Sequence, residues 1–324
     1  MTLRTRVTEL LGIEHPVILG GMGSGATVPE LVAAVSEAGG LGVLGCSGYG
    51  PDRIARAGAD LRGATQRPFG MNLLLFLSPP EDVEAVAAQR PPVFSTAWPW
   101  PEQDLAEVFK RAHDAGSTVM HMVSRVDEAE RAAEAGADLI VAQGTEGGGH
   151  VGLVSTFVLV PMTVRAVQPV PVVAAGGIAT GAQLAAVLVL GAEGALLGTR
   201  FLATDESPWP PSFKRAIVES DGHDTELTEI PDIARAREWP GAFDRAQRNH
   251  LIEDWAGRES QLRRNRAAIG AQIAEARAQD DASRGEVNFG QAAGLIDGIE
   301  PAGAVVRRLV AEAEAQLASR APVS

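Results

Sequence analysis

The chain has 324 residues, of which 45% are hydrophobic, so a disordered protein is excluded, and two domains or one large α/β barrel fit this length. Its formal net charge of −13 argues against general affinity for nucleic acid or an anionic membrane, because such binding depends on Lys and Arg side chains that neutralise phosphates. Cys46 is the only cysteine, which excludes an intrachain disulfide and a cysteine-based metal cluster, and we expect no bound metal. The sequence shows neither a signal-peptide core nor an apolar run of about 18 residues, so we expect a cytoplasmic enzyme that does not span a membrane.

Short apolar segments in the first two thirds of the chain predict the strands of a parallel sheet. They are continuously apolar rather than alternating, as expected for strands that are buried on both faces. The predicted strands cover residues 16–20, 41–45, 69–75, 91–95, 118–123, 138–143, 171–175 and 194–198. Segments with helical spacing separate them, and several end in glycine just before the next strand. Eight strand–helix units in about 200 residues predict a (β/α)8 TIM barrel; a doubly wound open sheet uses the same units and is the structural alternative.

The composition changes after Thr204. Residues 205–285 contain no convincing strand pattern and are predicted to form charged amphipathic helices. A glycine-rich loop and a closing helix near the end of the chain follow. We therefore predict that residues 1–204 and 300–324 form the barrel and that residues 205–299 form a helical subdomain on its substrate side.

Two glycine-bearing turns lie at the ends of consecutive predicted strands. Gly176 and Gly177 end the seventh strand, and Gly198 and Thr199 end the eighth. Backbone N–H groups approach a phosphate closely where no Cβ intervenes, and a following helix N-terminus adds partial positive charge. In many barrels these two loops form a phosphate site, so the pair predicts a phosphate-bearing ligand. Tight turns without a ligand are the alternative.

His150 follows the sixth predicted strand, at the edge of the barrel where active sites are built. Gly148 and Gly149 come directly before it and allow the backbone to approach a bound ligand closely. An imidazole donates a hydrogen bond to an anion or accepts a proton near neutral pH. We therefore predict a catalytic role for His150, with a structural or solvated histidine as the alternative, whereas His121, inside the fifth strand, is expected to pack in the core.

The first and third predicted strands carry a second set of candidate ligand contacts. Gly21 and Met22 lie in a glycine-rich turn after the first strand, which suits a flat aromatic ring system at van der Waals distance. Asn72, in the third strand, offers both a donor and an acceptor to such a ring or to a phosphate. A buried Asn72 that is satisfied by a neighbouring loop is the alternative.

Several motifs together resemble the nitronate monooxygenase family, formerly called 2-nitropropane dioxygenases. They are "HPVILGGMG", "AGGLGVLG", "FGMNLLLF", "AQGTEGGGHVG", "VPVVAAGGIATGAQLAAVLVLGAEGALLGTRFLATDES" and "GQAAGLIDG", and the resemblance runs from about residue 3 to residue 316. It implies an FMN-dependent barrel enzyme without bound metal that oxidises alkyl nitronates, such as propionate 3-nitronate, with O₂. One departure is Gly147, where the family usually has alanine.

The resemblance also implies where FMN binds. The flavin phosphate would lie on the two glycine turns and the ring against the turn after the first strand, with Asn72 and Gln143 nearby and His150 facing flavin and substrate. The cofactor-binding residues predicted from the motifs and the resemblance together are Gly21, Met22, Asn72, Gln143, Gly148, Gly149, Gly176, Gly177, Gly198 and Thr199.

The expected chemistry follows from the substrate. A nitronate is already a stabilised carbanion, so His150 would bind its nitro oxygens, or act as a base if a neutral nitroalkane is used. Trp98 and the "NFGQAAG" loop would form a lid with Gln291 as a polar substrate contact, although Trp98 packing against the subdomain fits equally well. An NAD(P)H-dependent flavin reductase acting on a quinone or enoyl thioester, and a ligand-binding protein without turnover, are the functional alternatives. The sequence does not determine the oligomeric state, and a homodimer is one alternative.

Overall fold

A closed barrel of eight parallel strands forms the body of the protein, in a computed structural model that describes residues 3–319. The strands are β1 (Val17–Leu19), β2 (Leu41–Gly45), β3 (Phe69–Leu74), β4 (Val93–Ala97), β5 (Thr118–Val123), β6 (Leu139–Gln143), β7 (Gly149–Val151), β8 (Val172–Ala175), β9 (Ala195–Leu197), β10 (Thr225–Thr228) and β11 (Phe243–Gln247). All except β7, β10 and β11 belong to the barrel, and β9 pairs in parallel with β1 to close it. The eight predicted strands and the TIM barrel are confirmed, and the open sheet is excluded.

Helices surround the barrel and build the subdomain. They are α1 (Arg6–Leu11), α2 (Pro29–Glu37), α3 (Pro51–Ala64), α4 (Pro80–Ala88), α5 (Leu105–Asp114), α6 (Val126–Glu134), α7 (Thr156–Ala166), α8 (Gly181–Val189), α9 (Thr199–Leu202), α10 (Pro211–Glu219), α11 (Ile230–Arg235), α12 (His250–Trp255), α13 (Glu259–Ala278) and α14 (Ala302–Ser319), with short 3₁₀ helices at Leu75–Leu77 and Gln291–Leu295. Proline at the first position starts α2, α3 and α4, where its missing N–H would have no partner anyway. Within residues 3–319 no helix is both long and apolar enough to cross a membrane.

The strands bury side chains on both faces, as their continuous apolar runs predict. One set, including Ile18 and Val141, fills the barrel interior, and the other, including Leu19, packs against the helices. His121 belongs to the buried set: its Nδ1 lies 2.7 Å from Thr96 Oγ1, and burial lowers its pKa to about 3. The expected packing of His121 in the core is therefore found.

The closing helix returns to the barrel wall. α14 packs against α8 and α2, and Glu312 of α14 accepts a hydrogen bond from the Gly181 N–H at 2.8 Å. Residues 1–2 and 320–324 of the predicted barrel segments lie outside the described residues.

The segment after Thr204 is not purely helical, so that part of the prediction is wrong. β10 and β11 pair antiparallel, and β11 also pairs with β7, which gives a three-stranded sheet in the order β10-β11-β7. The sequence does not predict β11 because Asp244 and Arg245 within it are charged, and charged residues are not expected in a buried strand. Both are nevertheless buried. Pairing with neighbouring strands stabilises a segment whose own composition does not favour a strand.

Candidate active site

A cavity of about 760 Å³ lies at the carboxyl ends of the barrel strands, beneath the subdomain. Every predicted cofactor residue lines it, together with Trp98 and His150: Gly21, Met22, Asn72, Gln143, Gly148, Gly149, Gly176, Gly177, Gly198 and Thr199. The sequence therefore identified residues that the fold brings to one place.

Gln291 is placed differently from the prediction. Its side chain is exposed and does not line the cavity, whereas its neighbours Gly290 and Ala292 do. The 3₁₀ helix that starts at Gln291 buries Ala292 and Ala293 and leaves the glutamine outside. The structure thus does not support Gln291 as a substrate contact.

The two glycine turns form a cradle of exposed backbone. Gly176 and Gly177 have φ of +88° and +73°, and a Cβ on Gly176 would lie 2.6 Å from the Gly144 oxygen, so only glycine fits there. Among residues 3–319, the N–H groups of Gly177, Gly198 and Thr199 donate to no protein acceptor. These groups are the ones that suit a phosphate.

The N-terminus of α8 is already occupied by protein groups. Thr180 caps the helix with Gln183, and the Gly181 N–H donates to Glu312 at 2.8 Å. The predicted contribution of a helix N-terminus is therefore not available at α8, and the turns themselves supply the donors. The Thr199 hydroxyl accepts a hydrogen bond from the Gly290 N–H at 2.9 Å, which ties the 285–298 loop to this cradle.

Glycine at position 21 lets the turn after β1 come close to the side chain of Asn72 on β3. A Cβ on Gly21 would lie 2.5 Å from Asn72 Cβ. Asn72 Nδ2 donates to the Gly21 oxygen at 3.3 Å, and Asn72 Oδ1 accepts from Ser95 Oγ at 2.9 Å, so this amide has protein partners. Gln143 differs: its Oε1 is buried without a hydrogen-bond partner among the described residues, and the residue lines the cavity. A ligand N–H would satisfy it.

His150 lies on strand β7 and is held on three sides. Its Nε2 lies 2.9 Å from Asp232 Oδ2, and its Nδ1 lies 4.0 Å from Asp244 Oδ1. The indole of Trp239 stacks on the imidazole, with 3.4 Å between ring centroids and 9° between planes, and Trp239 Nε1 donates to Asp232 Oδ1 at 3.0 Å. The carboxylate of Asp232 thus orients both rings.

Sequence reasoning missed Asp232, Trp239 and Asp244. Asp232 is 82 residues from His150 along the chain, and Asp244 becomes its neighbour only because β11 pairs with β7. No local motif predicts the pairing of β7 with β11, since both strands are short and contain polar residues.

Asp244 is fully buried, and neither of its carboxyl oxygens has a hydrogen-bond partner within residues 3–319. Burial raises its pKa from 3.8 to about 6; the nearby His150 and Arg235 oppose the shift and Asp232 reinforces it. Asp244 therefore exchanges its proton closer to neutral pH than an exposed aspartate does.

We expect Asp244→Asn to change how stability depends on pH. The folded pKa lies above 3.8, so between about pH 4 and 6 the folded protein binds more protons than the unfolded chain, and stability from this group is lost as pH rises. The Asn variant has no such loss. The difference between its Tm and that of the wild type should therefore shift in favour of the variant as pH increases from 4.5 to 7.5. Calorimetry over that range, with the exposed Asp60→Asn as control, measures the difference. Parallel Tm curves for wild type and Asp244→Asn would contradict it.

Trp98 lies between the cavity and the subdomain. It lines the cavity, and its ring meets Trp239 of the subdomain edge-on, with 6.1 Å between centroids and 86° between planes. Trp239 also contacts Phe76 at 4.5 Å between ring centroids, so aromatic rings cover His150 on the subdomain side. These rings exclude water from one face of the imidazole.

The chain is similar in sequence to a family profile and to several named enzymes. Residues 4–90 and 79–312 match the family profile described as nitronate monooxygenase. The (3aS,4S,5R,7aS)-5-hydroxy-7a-methyl-1-oxo-octahydro-1H-indene-4-carboxyl-CoA dehydrogenase of Mycobacterium tuberculosis is 38% identical over 78% of this chain and 68% of its own length. The enzyme of the same name from Rhodococcus jostii is 39% identical over 71% of this chain, and the match spans 64% of that enzyme. A probable nitronate monooxygenase of Staphylococcus saprophyticus is 36% identical over 71% of this chain and 77% of its own length.

Solved structures share the whole fold. FabK from Thermotoga maritima superposes with a TM-score of 0.87 at 35% identity, covering 98% of each chain. Nitroalkane oxidase from Streptomyces ansochromogenes gives a TM-score of 0.83 at 29% identity, covering 97% of this chain and 99% of the other. Barrel, glycine turns and family profile agree, and the chain belongs to the nitronate monooxygenase family of flavin-dependent oxidoreductases.

Proposed function

We propose that this protein is an FMN-dependent nitronate monooxygenase, which oxidises alkyl nitronates, or the nitroalkanes that give rise to them, with O₂. The observation that carries the proposal is the position of His150, which is held by Asp232 in the same cavity as the two glycine turns. The family profile supports it.

The residues present fit FMN. The N–H groups of Gly177, Gly198 and Thr199 suit a phosphate, and the buried Oε1 of Gln143 suits an N–H group of the flavin ring. A cavity of about 760 Å³ has the size of a cofactor site with room for a small substrate. When bound, the flavin takes electrons from the substrate and passes them to O₂.

His150 would bind the substrate and move its proton. The hydrogen bond to Asp232 fixes the proton on Nε2, which leaves Nδ1 as the basic nitrogen. For a nitroalkane, Nδ1 takes the α-proton, and Asp244 Oδ1, 4.0 Å away, stabilises the resulting imidazolium. A nitronate has already lost that proton and needs His150 only as a partner for its oxygens.

Anaerobic titration of the purified protein tests this function. A flavin band at about 450 nm is expected, and it should bleach, or show one-electron reduction, with propionate 3-nitronate alone. Bleaching by NADH but not by the nitronate would overturn the proposal in favour of a reductase. Colourless protein that does not bind added FMN would overturn every flavin function.

A second candidate is flavin-dependent oxidoreduction of an acyl thioester, with NAD(P)H as a further co-substrate. Two observations favour it: the relatives named as carboxyl-CoA dehydrogenases, and a group of arginines lining the cavity beyond the glycine turns. A simple alkyl nitronate carries one negative charge and propionate 3-nitronate carries two, so neither accounts for four arginines at the cavity.

Asp232→Asn is expected to lower kcat by about 10–100-fold while the FMN spectrum is unchanged, as losses of orienting partners usually do. The amide keeps the shape of the carboxylate but no longer favours the Nε2-protonated tautomer of His150. Steady-state kinetics with a nitroalkane measure the effect. The control is Asp138→Asn, because Asp138 accepts a similar 2.8 Å bond from the exposed His113. An Asp232→Asn variant as active as the control would contradict a role for this bond.

A further inference from the structure

The cavity lining carries positive charge, although the chain is strongly negative. Arg53, Arg235, Arg237 and Arg277 line it, and Glu286 is the single Asp or Glu among the lining residues. The whole chain has a formal net charge of −13. The arginines are therefore concentrated at the cavity against the trend of the molecule, which attracts anions to it.

Three of these arginines come from the subdomain. Arg235 ends α11, Arg237 lies two residues further along the chain, and Arg277 lies in the last turn of α13. α11 and α13 pack closely, since a Cβ on Gly270 of α13 would lie 3.1 Å from the Ala234 oxygen.

One face of α13 runs along the cavity. Gly270, Ile273, Ala274 and Arg277 all line it, with the spacing of one helical face. Arg277 lies at the C-terminal end of this face, in the last turn of the helix. The part of α13 that lines the cavity therefore ends at a guanidinium group.

The charges of these arginines are incompletely neutralised by the protein. Arg235 pairs with Glu286, but among residues 3–319 neither Arg237 nor Arg277 forms an ion pair with a carboxylate. Arg277 instead lies 5.8 Å from the centroid of the Phe213 ring. Burial lowers the pKa of Arg235, and the charges of Arg237 and Arg277 lower it further, as expected for guanidinium groups that repel one another, although Asp244 and Asp232 oppose the shift. A bound anion would relieve that repulsion.

Arg53 is the barrel's contribution to the same lining. Its guanidinium lies 3.7 Å above the Tyr49 ring, a contact that orients the side chain without neutralising it.

We propose that Arg237 and Arg277, with Arg235 and Arg53, form a second anion subsite that binds the phosphate groups of an adenine nucleotide. That nucleotide belongs either to an acyl thioester of coenzyme A or to NADPH. Planar guanidinium forks match phosphate oxygens in pairs, and several arginines match a ligand with several phosphates. The inference rests on the proposed flavin function, because the nucleotide would bring a thioester or a nicotinamide to the flavin.

The glycine cradle and the arginine subsite are built from different parts of the fold. The cradle uses backbone N–H groups at the ends of β8 and β9, and the subsite uses side chains of α11, the loop after it, α13 and α3. FMN phosphate at the cradle therefore leaves these arginines for another anion.

Calorimetric titration of the FMN-loaded protein tests the subsite. The probes are coenzyme A against dephospho-coenzyme A and pantetheine, and NADPH against NADH. Arg237→Gln and Arg277→Gln should each weaken binding of the phosphorylated probe about tenfold or more, the effect of losing a hydrogen bond between charged groups. Arg266→Gln should bind as wild type, because Arg266 is exposed on the same helix α13 and does not line the cavity.

The outcomes separate the two nucleotide sources and the two hypotheses. Selective loss of coenzyme A binding assigns the thioester, and selective loss of NADPH binding assigns the nicotinamide; either supports the subsite. Absent binding of every probe, or equal binding by all variants with unchanged flavin spectra, overturns it. Protein that binds these probes as expected but holds no flavin would overturn the proposed function while leaving the subsite intact.

Discussion

Replacing His150 with glutamine is expected to lower kcat/KM for a neutral nitroalkane by about 10²–10⁴-fold, the usual contribution of a positioned general base. The loss with the corresponding nitronate should be much smaller, because that substrate arrives without the proton that Nδ1 would remove. The hydrogen bond to Asp232 holds the proton on Nε2, so Nδ1 is the nitrogen that acts as the base.

Stopped-flow reduction of the flavin with matched nitroalkane and nitronate measures both losses under the same conditions. His113→Gln is the control, because His113 also bonds an aspartate but is 40% exposed and lies away from the cavity. Equal losses with both substrates would contradict a base at residue 150 and leave it a binding residue.

Gly198→Val is expected to abolish FMN binding, and Gly198→Ala to weaken it about tenfold, as overpacking of a tight contact typically does. The backbone of Gly198 has φ of −108°, which any residue adopts, and a Cβ there would lie 3.4 Å from Met22 Sδ. The protein itself therefore accommodates the methyl group, and the added volume enters the cradle.

Equilibrium dialysis against FMN gives the dissociation constants for this series. Gly63→Ala is the matched control, since Gly63 lies within helix α3 and a Cβ there meets nothing within 4 Å. Full flavin content in Gly198→Val would place the phosphate elsewhere.

The barrel and the cradle were predictable because their signals are local. Each barrel strand is a short apolar run, and Gly176 and Gly198 follow directly on the strands that position them. A barrel brings all such strand ends to one rim, so adjacent motifs in the sequence become adjacent in space.

The surroundings of His150 were not predictable for the opposite reason. Asp232 and Trp239 reach the imidazole through a helix and loop of the subdomain, and Asp244 reaches it through β-pairing between segments far apart in the chain. Charged residues in β11 resemble those of a surface helix until the sheet partner is known. The prediction that Gln291 contacts the substrate lacks support for a similar reason. The direction of a side chain on a short 3₁₀ helix depends on what that helix packs against.

Strand β7 connects the barrel to the three-stranded sheet of the subdomain. It lies in the connection between barrel elements β6 and α7, yet it forms the edge of the sheet completed by β10 and β11. If only the subdomain were replaced by that of a homologue, the native β7 would have to pair with a β11 of different sequence, and the position of His150 would depend on that new pairing. Chimeras intended to alter substrate preference should therefore exchange residues 144–155 and 205–299 as one cassette.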